Sequence, residues 1–390
     1  MNKSEKEFIP YSCPDIGEEE IREVVHCMKS GWLTSGPKCR EFEEKFSEFL
    51  GGDINTICVS SATAGLHLSL EALGITRGDE VITTTHTFTA TAAVIKHVGA
   101  DPIFVDIDQE SYCIDINQIE KLITDKTKAI LPVHFAGLAV DINAINKIAK
   151  KYNLFVIEDA AHALPTSLNG KIVGKLNSDV TVFSFYANKT ITTGEGGMIA
   201  TKDKKLSERI KKMRIHGIDR DAFNRFTSNV PAWKYDIVSP GYKYNMPDIL
   251  AAIGIHQIKK INDFQKKREY IANIYDNNLS NLPIILPPKP LKDDKHAWHI
   301  YVIKLKKEVK IPRDTIIEKM FSFGIGCSVH YIPLHQMSYY KNLYNLKDEM
   351  FPQSQSLYER CISLPIYSKM REFEIEKVMH NFIKIIEDKK

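Results

Sequence analysis

The chain has 390 residues, 43% of them hydrophobic and 26% charged, a balance typical of a soluble globular protein with two domains or one large domain and a smaller lobe. Its 52 basic and 49 acidic side chains leave a net charge of +3, which is too small to indicate a nucleic-acid partner. No stretch approaches the roughly 18–20 uncharged apolar residues of a membrane span, so we expect no membrane partner.

Seven cysteines are scattered along the chain without a Cys-x-x-Cys pair. An odd, unpatterned set predicts reduced thiols in a cytoplasmic enzyme rather than a disulfide framework. The opening MNKSEKEFIPYSCPDIG has no apolar core of the kind that a secretory signal needs. We therefore expect the protein to stay in the cytoplasm.

Between residues 55 and 200, short β-branched runs alternate with stretches of helical spacing. This alternation predicts an α/β layer on a mostly parallel sheet, whose ligands bind outside the carboxyl ends of the strands. Five of the runs end near side chains with useful chemistry, which are Thr63, Phe88, His134, Asp159 and Ser184. The sequence therefore predicts one pocket at this edge of the sheet.

The next part of the chain is predicted to be helical, with one long interruption. Helical spacing over 205–215 is followed by an irregular segment at 219–245, of a length usual for functional loops or subunit contacts. After Pro247, sustained helical spacing predicts a long connecting helix.

A smaller α+β domain is predicted at the C-terminal end. The Pro-rich stretch LPIILPPKPLKDDK marks a boundary before HAWHIYVIKL, GIGCSVHYIPLH and predicted helices near 314–323 and 372–388. We place the large domain at 1–265, with its N-terminal arm able to pack on the small domain, and the small domain at 266–390.

A single lysine, Lys189, stands between an apolar strand and a stretch rich in hydroxyls and glycines, SFYANKTITTGEGG. It is either a solvated lysine at a loop edge or a nucleophile that forms a Schiff base with a carbonyl compound. Asp159 follows the buried run 154–157, where it either caps a following helix or pairs with a cationic ring nitrogen. Taken alone, the motif around Asp159 favours the interpretation as a helix cap.

Two hydroxyls extend this group. Thr63, in SSATAG, precedes a predicted helix, so that its hydroxyl and the neighbouring N–H groups form an anion site at the helix N-terminus. Ser184 either caps a turn or binds a phosphate. An amine, a buried carboxylate and a phosphate site together match what pyridoxal 5'-phosphate requires. Phe88 is placed to lie against the ring face, although a lone Phe is also common in a core.

Competing chemistries lack their motifs. There is no G-x-x-x-x-G-K-[ST], no G-x-G-x-x-G and no G-x-S-x-G. His330 and His335 are too loosely spaced for a metal pair, so we expect no metal. The glycines of GEGG at 194–197 predict a tight turn before the strand MIAT.

Six motifs resemble, in wording and order, those of the DegT/DnrJ/StrS nucleotide-sugar aminotransferases: SGWLTSGPK, SSATAGLHLSLEALGITRGDEVIT, TKAILPVHFAG, VIEDAAHA, FSFYANKTITTGEGGMIAT and GYKYNMPDILAAIG. The resemblance runs from about residue 8 to 385. PGYKYN, HAWHIYV and GIGCSVHYIPLH resemble most the branch that aminates C4 of UDP-linked 4-keto sugars, which includes the UDP-4-keto-arabinose and spore-coat polysaccharide enzymes.

The resemblance implies an aspartate-aminotransferase-like fold, with a mostly parallel seven-stranded sheet between helices and a smaller α+β domain. It also implies a homodimer with active sites at the subunit interface. Lys189 would be the Schiff-base and catalytic lysine, and Asp159 the partner of the pyridine nitrogen. The residues implied to hold the cofactor are Ala62, Thr63, Phe88, Asp159, His162, Ser184, Lys189, Lys243 and Asn245.

Two positions depart from the pattern of the family. Many members have Gln where His162 stands and Asn where Lys243 stands. His162 is still able to hydrogen-bond near the oxygen of the cofactor ring. GYKYN would reach the phosphate site of the neighbouring subunit, where either Lys243 or Asn245 would make the contact.

The expected reaction moves an amino group from glutamate to the keto carbon, C4, of a nucleotide-linked sugar for a surface polysaccharide, lipopolysaccharide or glycan. Tyr186, His330 and Tyr331 are candidates for the sugar pocket, although the last two are equally able to pack only beneath it. Amination at C3 is the alternative regiochemistry. A dehydratase would carry His in place of Lys189, and a regulatory relative would lack Lys189 or Asp159.

Overall fold

The computed structural model describes residues 8–220, 231, 233–291 and 293–388. The strands in this part of the chain are β1 (Asn55–Val59), β2 (Glu80–Thr84), β3 (Asp101–Val105), β4 (Thr127–Ile130), β5 (Phe155–Asp159), β6 (Ser167–Leu168), β7 (Lys171–Ile172), β8 (Val180–Ser184), β9 (Gly197–Thr201), β10 (Ile284–Ile285), β11 (Tyr301–Leu305) and β12 (Cys361–Leu364).

The α-helices are α1 (Glu18–Ser30), α2 (Pro37–Phe49), α3 (Ala62–Ala72), α4 (Ala90–His97), α5 (Ile116–Ile119), α6 (Ile142–Tyr152), α7 (Lys204–Met213), α8 (Asp248–Leu279), α9 (Arg313–Ser322), α10 (Ser338–Tyr344), α11 (Pro352–Arg360) and α12 (Glu372–Glu387). Short 3-10 turns cover Glu120–Leu122, Phe135–Gly137, Leu334–Gln336 and Asp348–Met350. The helices predicted near 205–215, after Pro247, near 314–323 and near 372–388 are confirmed as α7, α8, α9 and α12.

The large sheet has seven strands in the order β1-β9-β8-β5-β4-β2-β3. Only β9 runs antiparallel to its neighbours, so the predicted, mostly parallel sheet is confirmed. The central strands β8 and β9 are buried along almost their whole length because helices cover both faces of the sheet. The two resulting cores draw on α2, α6 and α8 on one side and on α3, α4 and α7 on the other. The α/β fold class is therefore as expected.

The long helix α8 begins beside α2 and ends in a different core. Asp248, its first residue, accepts hydrogen bonds from the backbone N–H groups of Gly36, Lys38 and Cys39 at 2.7, 3.0 and 2.9 Å, and thereby caps α2. The last α8 residue in the large core is Phe264. From residue 271 onward, α8 packs in a second, smaller core.

The smaller core is built on a three-stranded antiparallel sheet, β10-β11-β12, against which α8, α9 and α12 pack. Ile9 joins this core and hydrogen-bonds through its backbone to Gly324 and Gly326, each at 2.8 Å, so the N-terminal arm lies against it. Because α8 changes core after Phe264, we keep the division at residue 265 as a proposal.

Some predicted segments lie partly outside the described residues. Positions 221–230 and 232 of the irregular segment 219–245 lie outside the described residues. So does position 292 of the Pro-rich boundary. The described parts of 219–245 contain isolated bridges, such as that between Ile218 and Ile237, without a regular element. Among the helices of the described chain, none is long and apolar enough to cross a membrane. All seven cysteines are described, and each is free.

Candidate active site

The carboxylate of Asp159 is buried at the end of β5. Its Oδ1 accepts a hydrogen bond from the N–H of Ala161 at 3.1 Å, and its Oδ2 accepts one from the hydroxyl of Thr91 at 2.9 Å. Burial raises the pKa of Asp159, against the opposing effect of these donors and of the Lys189 charge. The chain after β5 passes through turns to β6 without forming a helix, so the helix-cap interpretation is wrong.

Lys189 lies in the turn between β8 and β9. Its Nζ is 3.5 Å from Nε2 of His299, and its charge interacts with that of Asp159. Burial lowers the pKa of Lys189 to about 8, with Asp159 opposing the shift. An amine in this position is partly neutral near pH 8, unlike a solvated lysine at a loop edge.

The helix α3 begins beside this edge of the sheet. Its N-cap is Ser61, whose hydroxyl accepts a hydrogen bond from the N–H of Ala64 at 3.1 Å. Ala62 and Thr63 are therefore the first two helical residues, and the expectation that Thr63 precedes the helix is wrong. Their N–H groups have no partner within the helix, which leaves a partial positive charge for an anion.

Ser184 ends β8 and lies opposite Gly197 of β9. A Cβ on Gly197 would lie 2.7 Å from the backbone nitrogen of Ala62, so only glycine lets the strand approach the start of α3 this closely. Ser184 thus lies near the helix N-terminus. Its hydroxyl accepts only a long bond, 3.4 Å, from the N–H of Tyr186, and retains its proton for another acceptor.

Phe88 follows β2 and is 58% exposed, so the interpretation as a core residue is wrong. The centre of its ring is 6.2 Å from that of Tyr331. Tyr186 follows the end of β8, two residues after Ser184, and is 48% exposed. These exposed aromatic rings offer apolar surface to a ligand at the sheet edge.

His162 contacts two side chains of the site. Its Nε2 is 3.0 Å from the hydroxyl of Tyr331, and its ring centre is 4.4 Å from that of His299. Burial and the charge of Lys189 lower the pKa values of both histidines well below the usual range, so both rings are neutral. The Nδ1 atoms of His162 and His299 are buried without a hydrogen-bond partner among the described residues.

His330 is partly exposed and is held by Ser363 and Tyr11. Its Nδ1 hydrogen-bonds with the hydroxyl of Ser363 at 2.8 Å, and its ring stacks on that of Tyr11 at 5.4 Å. Burial, followed by the charge of Lys189, lowers the pKa of His330 to about 3. Of the two candidates, Tyr331 hydrogen-bonds to His162, whereas His330 hydrogen-bonds to Ser363 and is close enough to Lys189 to be affected by its charge.

The segment that carries His299 is fixed by α8. The guanidinium Nη1 of Arg268 donates to the carbonyl oxygens of Trp298, His299 and Ile366 at 3.0, 3.3 and 3.0 Å. The amide of Gln265 donates to the carbonyl oxygen of His296 at 2.7 Å. The position of His299 beside Lys189 therefore depends on a helix that runs through both cores.

The segment 241–245 packs on α3 of its own chain. Tyr242 and Tyr244 stack with ring centres 5.1 Å apart, Tyr244 hydrogen-bonds to the ring of His67 at 3.1 Å, and its carbonyl accepts the N–H of Ser60 at 2.7 Å. Lys243, between the two tyrosines, is exposed. Side chains alternate in extended backbone, so Lys243 faces away from the surface that the tyrosines cover.

Asn245 is committed to contacts within its own chain. Its Nδ2 donates to the hydroxyl of Ser35 at 2.7 Å, and its Oδ1 is buried without a partner among the described residues. Lys243, by contrast, has no hydrogen bond or ion pair within the described chain.

His134 does not belong to the pocket, contrary to expectation. Its ring is fully buried. The Nδ1 atom accepts a hydrogen bond from the N–H of Val140 at 3.1 Å, and Nε2 donates one to the carboxylate of Glu158 at 2.8 Å. Glu158 also accepts a hydrogen bond from the hydroxyl of Thr181 at 2.7 Å. Consecutive strand residues point to opposite faces, so the pair His134–Glu158 lies on the other side of β5 from Asp159.

Sequence reasoning missed Thr91 and His299. The signal for Thr91 was present, since TTTHTFTAT places six threonines in nine residues at the end of an apolar strand. His299 lies 110 residues from Lys189, and no local pattern could connect them.

The site fits pyridoxal 5'-phosphate. The start of α3 with Ser184 suits the phosphate, the Lys189 amine suits the aldehyde, and Asp159 suits the ring nitrogen. The unpartnered Nδ1 of His162 is a further polar group for the ring. No group of His, Cys, Asp and Glu side chains suited to a metal occurs in the described part of the chain.

The fold matches that of solved sugar aminotransferases. It superimposes on Helicobacter pylori PseC, an aminotransferase involved in the biosynthesis of pseudoaminic acid, with a TM-score of 0.89 and 33% identity over 98% of this chain and 100% of that chain. Together, fold and similarity define a pyridoxal-phosphate-dependent aminotransferase.

The chain belongs to the DegT/DnrJ/EryC1/StrS aminotransferase family, whose model matches residues 14–383. It is 43% identical to the spore coat polysaccharide biosynthesis protein SpsC of Bacillus subtilis, over 97% of both chains. It is 37% identical to the UDP-4-amino-4-deoxy-L-arabinose–oxoglutarate aminotransferase of Shewanella sediminis, over 98% of this chain and 99% of the relative.

Proposed function

We propose that the protein transfers an amino group from glutamate to C4 of a UDP-linked 4-keto sugar, in the biosynthesis of an amino sugar for a surface polysaccharide or glycan. The observation that carries the reaction is the Lys189 amine, with a pKa lowered to about 8, beside Asp159 and His299. The similarity to SpsC and to an aminotransferase named for a UDP-4-amino sugar and oxoglutarate supports the substrates. Glutamate is the donor that yields oxoglutarate.

The cofactor, when bound, supplies an aldehyde carbon that carries nitrogen and a ring that accepts electrons. The chain supplies the rest. Lys189 would hold the cofactor through its aldehyde and, as a free amine, would act as the base and then the acid that moves a proton at the substrate carbon. Asp159 would place a negative charge at the ring nitrogen. Thr63, Ser184 and the N–H groups of α3 would bind the phosphate.

The neutral rings around Lys189 suit both substrates. His162 and His299 stay uncharged because burial lowers their pKa values, so they act as hydrogen-bond groups without attracting or repelling a charged substrate strongly. Tyr331 and the exposed Tyr186 provide the surface on which we place the sugar, and the exposed Phe88 is kept for the face of the cofactor ring.

The direct test uses purified protein with pyridoxal 5'-phosphate, glutamate and a panel of UDP- and dTDP-linked keto sugars. We expect mass spectrometry to detect a new amino sugar with the UDP-linked 4-keto substrates, and NMR to place the nitrogen at C4. Nitrogen at C3, or a preference for dTDP-linked 3-keto sugars, would overturn this assignment and leave the aminotransferase class intact.

The lowered pKa of Lys189 predicts the pH dependence of cofactor capture. Only the neutral amine is a nucleophile, so the capture rate of cofactor-free protein should rise about tenfold per pH unit below pH 8 and level off above it. Borohydride trapping at fixed times, followed by mass spectrometry of the Lys189 peptide, measures this rate. A rate that keeps rising to pH 10 would contradict the lowered pKa.

We further propose a cytoplasmic homodimer in which Lys243 of each subunit contacts the phosphate in its partner. Lys243 is exposed and faces away from its own α3. Several exposed apolar side chains lie nearby and would be covered by a second subunit; they are Trp233, Tyr235, Ile237 and Val238. Asn245, already bonded to Ser35, is then a structural residue.

Mixed dimers test this assignment. The Lys243→Ala protein should bind the cofactor about tenfold more weakly, since a charged hydrogen bond is lost, whereas Asn245→Ala should bind it normally. In a randomly reassociated equal mixture of Lys243→Ala and Lys189→Ala subunits, half of the dimers are mixed and each has one intact site. Activity at limiting cofactor should reach about a quarter of the wild-type value. No recovery would mean that Lys243 serves its own subunit.

A further inference from the structure

The turn that presents Phe88 also carries a chain of buried hydroxyls. Thr91, the second residue of α4, is fully buried, and its N–H donates to the carbonyl oxygen of Phe88 at 3.3 Å. Its hydroxyl donates to Oδ2 of Asp159 at 2.9 Å and lies 2.8 Å from the hydroxyl of Thr87. The turn from Phe88 to Thr91 therefore places the Phe88 ring at the surface, while the Thr91 hydroxyl contacts the buried carboxylate of Asp159.

The hydroxyl protons of Thr87 and Thr91 have one consistent arrangement. An ionised carboxylate only accepts, so the single proton of the Thr91 hydroxyl points to Asp159. The proton between the two threonines must then come from Thr87. With the N–H of Ala161 on Oδ1 and Thr91 on Oδ2, each oxygen of Asp159 has one donor, and the plane of the carboxylate is fixed.

These donors oppose the effect of burial on Asp159. Burial raises the pKa of the carboxyl, while the N–H of Ala161, the hydroxyl of Thr91 and the charge of Lys189 lower it. The other titratable groups that interact with Asp159 are His134 and Tyr331. The donors from Ala161 and Thr91 are neutral, so they do not neutralise the carboxylate. Its negative charge remains available to a cationic group.

We propose that Thr91, supported by Thr87, is a positioning residue that keeps the Asp159 carboxylate ionised and oriented toward the ring of pyridoxal 5'-phosphate. The inference rests on the proposed role of Asp159. Because Phe88 belongs to the same turn, the contact also fixes the Phe88 turn relative to the Asp159 carboxylate.

The test compares three substitutions in the full-length protein. Thr91→Val is nearly isosteric and removes the hydroxyl, Thr91→Ser retains it, and Thr87→Val removes only the second donor. We expect Thr91→Val to weaken binding of pyridoxal 5'-phosphate roughly tenfold, Thr87→Val to weaken it less, and Thr91→Ser to stay within about twofold of wild type. Absorbance titration of the cofactor-free proteins measures these affinities.

A double-mutant cycle separates positioning from packing. If Thr91 acts through the charge of Asp159, Thr91→Val should have no further effect in an Asp159→Asn background. An equal loss of affinity in both backgrounds would show that Thr91 is structural and would overturn the proposal. So would wild-type affinity in the Thr91→Val protein.

A second readout needs no cofactor. The folded-state pKa of Asp159 is raised, so its contribution to stability is present at acid pH and is lost as pH rises through that pKa. Thr91→Val should raise this pKa further, and its Tm deficit against wild type should therefore grow as pH rises from acid, where the carboxyl is protonated in both proteins, to neutral, where it is ionised. A deficit independent of pH would overturn the proposal. If wild type fails to capture the cofactor at Lys189, the proposed function fails, while this pH comparison still reports on the hydroxyl.

Discussion

Replacing Lys189 by alanine should abolish transamination while leaving the fold intact. The side chain captures the cofactor and moves the proton, and general acid–base catalysis alone contributes about 10²–10⁴-fold. We therefore expect turnover to fall by at least about 10⁴-fold, measured as oxoglutarate released from glutamate in the presence of a keto-sugar acceptor. The control is Lys150→Ala, since Lys150 is an exposed lysine at the C-terminal end of α6.

The same substitution should not destabilise the cofactor-free protein near pH 7. The pKa of Lys189 is about 8 when folded, below its ordinary value, so the ammonium form opposes folding at lower pH and the opposition disappears as pH rises past the unfolded-state pKa. Removing the side chain should leave Tm unchanged or higher. A Lys189→Ala protein that transaminates at the wild-type rate would contradict the assigned role.

Replacing Asp159 by asparagine should reduce kcat about a hundredfold and weaken cofactor binding. The amide cannot supply the negative charge at the ring nitrogen, and the loss of one preorganised electrostatic partner has effects of about 10²–10³-fold. Wild-type activity should also fall at acid pH as the carboxyl is protonated. Because burial raises the pKa of Asp159, this fall should begin at a higher pH than for an exposed Asp.

The asparagine variant should lack that acid limb, and pH–rate profiles of the two proteins measure the difference. Asp125→Asn, which changes an exposed carboxylate after α5, is the matched control. An unchanged acid limb in the Asp159→Asn protein would assign the titration to another group.

Much of the fold and part of the site could be predicted from local patterns. The parallel strands are near-continuous apolar runs, and their carboxyl ends necessarily meet at one edge, which places Asp159 and Lys189 in one region. The sequence misplaces the start of α3 because Ser61 and Thr63 of SSATAG are both favourable caps, and only the hydrogen bond from the N–H of Ala64 to the Ser61 hydroxyl shows which of them is used.

Other features depend on contacts between distant residues. His134 is polar and follows β4, yet it hydrogen-bonds to Glu158 on the opposite face of β5 from Asp159, because neighbouring residues of a strand point to opposite faces. His299 joins the site through a segment held by Arg268, and neither residue carries a local signal. Thr91 could have been found from its threonine-rich run, although not the particular carboxylate that it contacts.

The attachment of His299 to α8 has a mechanical consequence. Arg268 holds the carbonyl oxygens beside His299 and that of Ile366, while the N-terminal end of the same helix is tied to α2 through Asp248. The backbone N–H of His299 also donates to the carbonyl oxygen of Ala136, in the large core, at 3.1 Å. The segment is therefore held from both cores, and loosening either core would displace His299 from the Lys189 amine.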